Sequence, residues 1–416
     1  MSNSKKLQIG LVGFGVVGKG LYDVLQATPT LQANIKKICI KNAQKKRAID
    51  AYYFTTAINE LLDDESINVI VELIDDATAA YDIVTAAFKK GKHVVSANKK
   101  MIATHFKELL LLQQQYKVAF LYEAACCAGI PIIRNLEEYY DNDLLSKVSG
   151  IVNGSTNFIL SKIAAEGLTF EEALYIAQHE GFAESNPALD IEGHDAANKL
   201  TILAAHAFGT IIATHEIIYT GITQINPIIN QWATQHDYTI KLLAHVIKVD
   251  DSYFAAFVLP QLVKKDSDFY NVNNEFNALE TESCFADKHF FKGKGAGAFP
   301  TAAAVLSDIA ALRYDYKYEY KKIQLGQQIS LTYNYHLNII ITAKSLEHIN
   351  LQAFTQIEVL EQTSSAVFIK GKIAAQQLIK NNWWKENGVS LVLAADAIAV
   401  LNNKVAIQSS TAAAIT

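Results

Sequence analysis

Two hydropathic patterns alternate through the first third of the chain. Short apolar runs of strand length, "LQIGLV", "IKKICIK", "NVIVELI", "KHVVSAN" and "VAFLYEA", are separated by amphipathic stretches of helical period, "VVGKGLYDVLQ", "INELLDDE", "AAYDIVTAAFKKG" and "THFKELLLLQQQYK". Strand and helix in strict alternation predict a doubly wound parallel sheet, an α/β fold, over residues 1–130. The "LLLLQQQ" at 109–115 lies inside a helical pattern and reads as helix. After the helical "GIPIIRNLEEYYDND", the run "LLSKVSGIVNGSTNFILSKIAAEG" opens a second α/β domain, placed at 131–325. Beyond it "ISLTYNYHLNIIITAK", "TQIEVLEQ", "SSAVFIKG", "KIAAQQLIKNNWW" and "VSLVLAAD" read as three strands, a helix and a strand, a small α+β unit at 326–416.

The first strand runs into "GFGVVG", a GxGxxG with a strand before it and a helix after it. In that setting the motif marks a Rossmann-type dinucleotide site. Gly13 permits the tight turn, Gly15 lets a pyrophosphate approach the backbone, and Gly18 lets helix and strand pack closely while the helix N-terminus faces the phosphates. An acidic residue at the end of the second strand would hold a ribose 2′-hydroxyl and repel a 2′-phosphate. The stretch there is "CIKNAQKKR": it lacks a carboxylate and offers Lys41, Lys45, Lys46 and Arg47, which favours NADP(H) over NAD(H). A solvated basic turn is the plainer alternative.

Composition narrows the partners. The chain has 416 residues, half of them hydrophobic, and a net charge of −5, so it can bury a large core and has no basic run to follow a nucleic-acid backbone. Neither an uninterrupted apolar stretch of membrane-spanning length nor a cleavable leader pattern is found, so no membrane partner and a cytoplasmic location are expected. Cys39, Cys126, Cys127 and Cys284 lack zinc-type CxxC spacing and fit reduced thiols.

In "GFAESNPALDIEGHDAANKLTILAAH", residues 181–206, charged residues enter an otherwise apolar helix. Asp195 and Lys199 share one helix face, with the acid N-terminal to the base. On a surface this is an ordinary ion pair. Here the helix continues "LTILAAHAF", apolar around its circumference, and buried charges need partners, a ligand or a catalytic role. Glu184 and Asp190 add acids in the turn-rich segment around Pro187, and the cluster suits a small substrate that carries an ammonium group. Upstream, "NGSTN" at 153–157 joins a strand end to a helix start, either to hold an anionic or carbonyl oxygen or simply as an N-cap with Ser155 or Thr156.

These stretches together resemble one family, the homoserine dehydrogenases. The carriers are "GLVGFGVVGKG", "VVSANKK" at 94–100, "YEAACCAGIPII" at 122–133, "GIVNGSTNFIL" at 150–160, "GFAESNPALDIEGHDAANKLTILA" at 181–204 and "GKGAGAFPTAAAVLSDI" at 293–309. The resemblance implies reversible NAD(P)H-dependent reduction of aspartate semialdehyde to homoserine, a step towards threonine and methionine, by a homodimer. It places Lys99 and Lys199 at the reacting group, Glu184 on the substrate amino group, and Asp190 and Asp195 among the carboxylates that complete the pocket. Gly154 and Ser155 match the substrate-binding turn. Cofactor contacts are implied at Gly13, Gly15, Val17, Gly18, Lys41, Ala97, Lys99 and Gly297. A monovalent cation, Na+ or K+, is implied at Glu123 with Cys126, Ala128 and Ile130. The segment near 293–315 is expected to pack back on the nucleotide domain.

Hydride transfer leaves negative charge on the substrate oxygen, which needs a proton and a positive field, and a lysine supplies both. The favoured assignment makes Lys199, oriented by Asp195, the proton donor and Lys99 the electrostatic partner; the reverse remains open. The chain departs from the family pattern at Asp75 and Asp76, where glycines are usual, at Phe182 for an aromatic hydroxyl, and at Asn186 for an acid. Its tail is loosely similar to an ACT-type amino-acid-binding unit, but the turn after "LNIIITA" lacks the glycine of such sites, which favours a structural or dimer-supporting role. Trp383 and Trp384 read as packing residues. Two rivals follow: a semialdehyde dehydrogenase using Cys126 or Cys127 as nucleophile, and a catalytically silent NADPH-binding regulator.

Overall fold

The computed structural model describes residues 6–142, 144–324, 329–363, 366–386 and 388–397. It groups the chain into two compact units rather than three. One holds the described residues up to Tyr139 together with Lys294–Lys321; the other holds Tyr140–Gly293 and the described residues from Lys322 onward. Among the described residues no helix is long and apolar enough to cross a membrane.

The first unit is a six-stranded parallel sheet of β1 (Leu7–Val12), β2 (Ala33–Cys39), β3 (Phe54–Thr55), β4 (Val69–Glu72), β5 (His93–Ser96) and β6 (Phe120–Leu121), in the order β3-β2-β1-β4-β5-β6. This is the Rossmann order, with ligands expected outside the carboxyl ends of the strands. Strands β1, β4 and β5 are buried on both faces, which is why their sequences are apolar runs rather than alternations. The helix expected in "INELLDDE" shrinks to Asn59–Leu62, while β3 arises from "FT", too short to carry a period of its own. Helix Ala298–Leu312 packs along helix Val16–Gln26 and so joins this unit.

The boundary expected at residue 130 falls later for a local reason. Both carboxylate oxygens of Glu123 accept from backbone amides at the start of helix Ile132–Glu138, Ile133 N at 2.8 Å and Arg134 N at 2.9 Å. Arg134 in turn pairs with the buried Asp308 at 3.0 Å. The helix is therefore tied into the first unit from two sides.

The second unit is built on an eleven-stranded sheet. Its strands are β7 (Leu145–Ile151), β8 (Ile218–Tyr219), β9 (Tyr238–Lys248), β10 (Tyr253–Lys264), β11 (Phe276–Ser283), β12 (Asp287–Lys294), β13 (Ser330–Leu331), β14 (His336–Ala343), β15 (Phe354–Gln362), β16 (Val367–Ala374) and β17 (Val389–Leu393). The main path runs β12-β11-β7-β9-β10-β17-β14-β16-β15, with β8 and β13 beside β10. The tail has the expected order of strands and helix, with helix Ala375–Lys380 before β17, but it is not a separate unit. Strand β17 pairs with β10 through Leu393 and Gln261, and one core runs from Ile247, Phe257 and Leu259 to Leu337, Ile339, Ile369 and Leu391. Sharing a core with β9 and β10 buries apolar faces that so small a unit could not cover alone. Trp384 is buried in this core, and its indole N–H donates to the carbonyls of Leu378 and Asn381.

Candidate active site

In the first unit the glycine-rich turn has the shape a dinucleotide needs. Gly13 lies at φ +94°, and a Cβ there would come within 2.6 Å of the Leu73 carbonyl oxygen. A Cβ on Gly18 would meet the Gly13 oxygen at 2.4 Å, so helix and strand touch backbone to backbone. Nothing stands within 4 Å of a Cβ built on Gly15, the N-cap of helix Val16–Gln26, which leaves the first amides of that helix open to an anion. Val17 is half-buried on the same turn. Gly297, at φ +115°, precedes helix Ala298–Leu312.

The basic loop after β2 frames a pocket of about 540 Å³ lined in part by Lys45, Lys46, Arg47, Phe54, Thr55 and Thr56. Lys41 is exposed and stands outside that lining. Arg47 braces the loop from within. Its guanidinium donates to the carbonyls of Lys45 at 2.7 Å and Asn42 at 3.0 Å, and lies 5.0 Å above the Phe54 ring. Phe54 packs edge-on against Phe14 of the glycine-rich turn at 5.3 Å.

Beyond β5, Ala97 is half-buried and its N–H donates to the Glu72 carbonyl at 3.3 Å. Asn98 caps helix Lys99–Tyr116 by accepting from Met101 N at 2.9 Å, which makes Lys99 the first, half-buried residue of that helix. Asp76 caps the preceding helix, Ala77–Lys89, by accepting from Thr78 and Ala79 amides. That accounts for an acid where glycine is usual; nothing in the structure explains Asp75.

Glu123 is buried beside the turn 126–130, where Cys127 and Ala128 both take positive φ, 55° and 33°. Carbonyl oxygens and one carboxylate are hard donors of a single net negative charge, so these residues fit a hard monovalent cation. Asp308, which accepts from Glu123 N, is pushed up to about 8 by burial and by the Glu123 carboxylate. Cys126 and Cys127 are buried in this same turn.

The second unit carries the charged cluster. Helix His194–Phe208 is buried from Asp195 almost throughout. Lys199 Nζ lies 2.7 Å from Asp195 Oδ2 and donates to the Val152 carbonyl at 2.6 Å. Asn153 completes the group. Its side-chain oxygen caps helix Gly154–Glu166 by accepting from Thr156 N, and its amide donates to Asp190 Oδ1 at 2.7 Å and Asp195 Oδ2 at 2.8 Å. The expected cap at Ser155 or Thr156 is thus corrected to Asn153, which is also the site residue that sequence reasoning missed. An asparagine directly before "GST" was the available signal, since asparagine is among the preferred N-caps.

Ser155 donates to the Phe182 carbonyl at 2.6 Å, and the Phe182 ring stacks on Phe158 at 4.5 Å. The turn 181–187 is therefore pinned to the start of helix Gly154–Glu166. Glu184 is exposed on this turn and takes no part in the Asn153 network. Asp195 and Lys199 are each under a tenth exposed, where an ion pair is held in register and solvent competes little. Such an arrangement can place a proton at a fixed point beside carboxylates that suit an ammonium group.

Known proteins carry the same design. The family model described as "Homoserine dehydrogenase, NAD binding domain" matches residues 13–123, and that described as "Homoserine dehydrogenase" matches residues 131–310. A homoserine dehydrogenase of Bacillus subtilis is 35% identical over 317 residues, 74% of this chain and 73% of its own length. The crystal structure of a homoserine dehydrogenase from Thiobacillus denitrificans superposes with a TM-score of 0.81 at 28% identity, covering 94% of this chain and 98% of that one. A hyperthermophilic archaeal homoserine dehydrogenase in complex with NADPH gives a TM-score of 0.64 at 25% identity, covering 76% of this chain and 99% of that one. With a nucleotide cradle in one unit, a buried lysine and carboxylate cluster in the other and relatives matched across both, the chain belongs to the homoserine dehydrogenases, NAD(P)-dependent oxidoreductases that interconvert aspartate semialdehyde and homoserine.

Proposed function

We propose that Lys199 delivers the proton in this reduction, with Asp195 holding its ammonium and Lys99 adding a second positive field. The observation that carries this reading is the hydrogen-bonded chain Val152 O–Lys199–Asp195–Asn153–Asp190, buried from Val152 to Asn153, which fixes the lysine nitrogen between a carbonyl and a carboxylate. The nicotinamide cofactor supplies the hydride when bound. As the aldehyde carbon receives it, the oxygen becomes an alkoxide and takes a proton from Lys199 Nζ; in homoserine oxidation the same nitrogen receives it back. Asp190 and the exposed Glu184 attract the substrate ammonium, and the amides of Gly154 and Ser155 face its polar groups at the helix start.

On this reading the first unit holds the nucleotide through Gly13, Gly15, Val17, Gly18, Ala97 and Gly297, and the second unit holds the substrate. NADP(H) is the preferred cofactor. Lys45 and Lys46 line the pocket after β2 and Lys41 adds charge at its edge, while the archaeal relative was solved with NADPH. Glu123 with the carbonyls of Cys126, Ala128 and Ile130 holds Na+ or K+. The working form is a cytoplasmic homodimer, and the tail acts as a structural extension of the sheet.

The test is NADPH oxidation with aspartate semialdehyde, and the reverse reaction with homoserine, for the wild type and Lys199→Ala. Turnover that collapses in the variant while NADPH still binds is the expected result. A variant that keeps wild-type kcat overturns the role of Lys199. Light scattering of the purified protein tests the dimer.

A further inference from the structure

Two fully buried carboxyls of the first unit, Asp308 and Glu72, are not used by the mechanism; Asp308 pairs with Arg134, and Glu72 has no cationic partner among its hydrogen bonds. Glu72 ends β4 at zero exposure, with Ser96, also fully buried, beside it at the end of β5. The Ser96 hydroxyl donates to Glu72 Oε2 at 2.5 Å, and Ile74 N donates to Glu72 Oε1 at 2.7 Å. Ser96 Oγ in turn accepts from Asn98 N at 3.1 Å, and the Asn98 amide donates to the Ile74 carbonyl at 2.9 Å. The four residues close a ring, Glu72–Ser96–Asn98–Ile74, that spans the carboxyl ends of two neighbouring strands.

Each side of the ring leads to the reaction. On one side Asn98 caps the helix that Lys99 begins, so the ring sets where that helix starts. On the other, Leu73 and Ile74 press against the glycine-rich turn: a Cβ on Gly13 would meet the Leu73 oxygen at 2.6 Å and Ile74 Cγ2 at 3.0 Å. A buried carboxyl is costly unless its neighbours answer it, and a hydrophobic residue would fill this place without that cost. Burial lifts Glu72 to about 7, with the Ser96 and Ile74 donors pulling against it. The cost is confined to the edge of the sheet where the nucleotide binds.

We propose that Glu72 is a positioning residue for the reduction, acting through Ser96 and Asn98 to fix Lys99 relative to the glycine-rich turn. This rests on the role given above to Lys99. A hydrogen-bond ring of buried groups has little freedom to drift, and a lysine displaced by about 1 Å can lose up to ~100-fold in rate. The hydrogen bonds of the Glu72 carboxylate go to Ser96 and Ile74 and not to Gly13, Gly15 or Gly18, so rate is expected to fall further than cofactor affinity.

The test is a double-mutant cycle in the full-length enzyme. Glu72→Gln, which keeps the size of the side chain, and Ser96→Ala, which removes one hydroxyl, are each made alone and with Lys99→Met. Steady-state kcat is measured with aspartate semialdehyde, and NADPH affinity by fluorescence titration. The expected result is a roughly tenfold or greater fall in kcat for each single variant, NADPH affinity within about twofold of wild type, and loss of most of that effect in the Lys99→Met background. An equal fall in both backgrounds, a fall that tracks NADPH affinity, or no fall overturns the role of Glu72. Wild-type kcat in Lys99→Met instead overturns the role of Lys99 and removes the basis of the proposal. Ser96→Ala decides the matter should Glu72→Gln fold poorly.

Discussion

Among the described residues of the second unit three lysines are buried: Lys147 pairs with Glu280 at 2.8 Å and Glu282 at 2.7 Å, and the other two, Lys199 and Lys241, have surroundings that differ in one respect. Lys199 faces the carboxylate of Asp195 at 2.7 Å. Lys241, on β9 and fully buried, donates to the Val272 carbonyl at 2.6 Å and to the side-chain oxygens of Asn273 and Asn157 at 3.0 and 3.1 Å, all neutral. Burial and the nearby Lys292 push Lys241 down to about 7. One lysine is held as part of an ion pair with further carboxylates around it; the other ties the 272–276 loop to helix Gly154–Glu166 through neutral oxygens. Burial of a cation thus does not by itself mark a catalytic group, and neither does a carboxylate beside it, since buried Lys147 pairs with Glu280 and Glu282; what sets Lys199 apart is an ion pair that continues through Asn153 to Asp190.

The largest contrast is in turnover. Lys199→Ala should lower kcat by about 10²–10⁴-fold, the range for loss of a positioned proton donor, while Lys241→Met should leave kcat within a few-fold. Steady-state rates in both directions decide it, and comparable losses in the two variants would erase the distinction. Asp195→Asn goes further by replacing the carboxylate paired with Lys199 by a neutral oxygen of the kind that holds Lys241. Its kcat should fall by roughly 10–100-fold, with the pH–rate profile displaced because the carboxylate that favours the ammonium is gone. An unchanged profile would mean that Asp195 only packs.

A smaller effect is expected at Asn153, which joins the ion pair to the fold. Asn153→Ala removes the cap of helix Gly154–Glu166, typically worth ~1 kcal/mol, and leaves Asp190 and Asp195 without a shared donor. Denaturant midpoints should show the lost stability, and KM for aspartate semialdehyde should rise more than NADPH affinity falls. Equal losses for substrate and cofactor would argue that the residue serves folding alone.

The legibility of these features follows their range along the chain. Lys199 and Asp195 were readable because an i,i+4 pair lies on one helix, and the apolar stretch after it showed that the helix is buried. The alternation of strands and helices predicts the doubly wound parallel sheet for the same reason: each pattern is local and periodic. Lys241 gave no such sign, since its partners at 157, 272 and 273 come from a distant helix and a loop, and only the register of β9 brings them together. Asn153 is less legible, because one side chain caps a helix through its oxygen and joins two carboxylates through its amide, and the second use depends on residues about forty positions away. The separate C-terminal unit failed on a pairing of β17 with β10 that spans more than a hundred residues and leaves no mark in local hydropathy.

The mildest prediction concerns stability rather than rate and tests the other half of the comparison. A lysine held near 7 in the folded protein but near its ordinary 10.5 when unfolded binds fewer protons folded than unfolded between those values. Stability is therefore lost as pH falls from about 10.5 towards 7, and the loss is complete below that. Lys241→Met cannot lose stability this way, but it strips a donor from Val272, Asn273 and Asn157, at a cost of roughly 1–3 kcal/mol that does not vary with pH. The difference in melting temperature between the variant and the wild type should accordingly shift in the variant's favour as pH is lowered from about 10 to 7, then level off. A difference that stays flat across that window would mean that Lys241 remains charged throughout, and that neutral oxygens alone can hold a buried ammonium as well as Asp195 does.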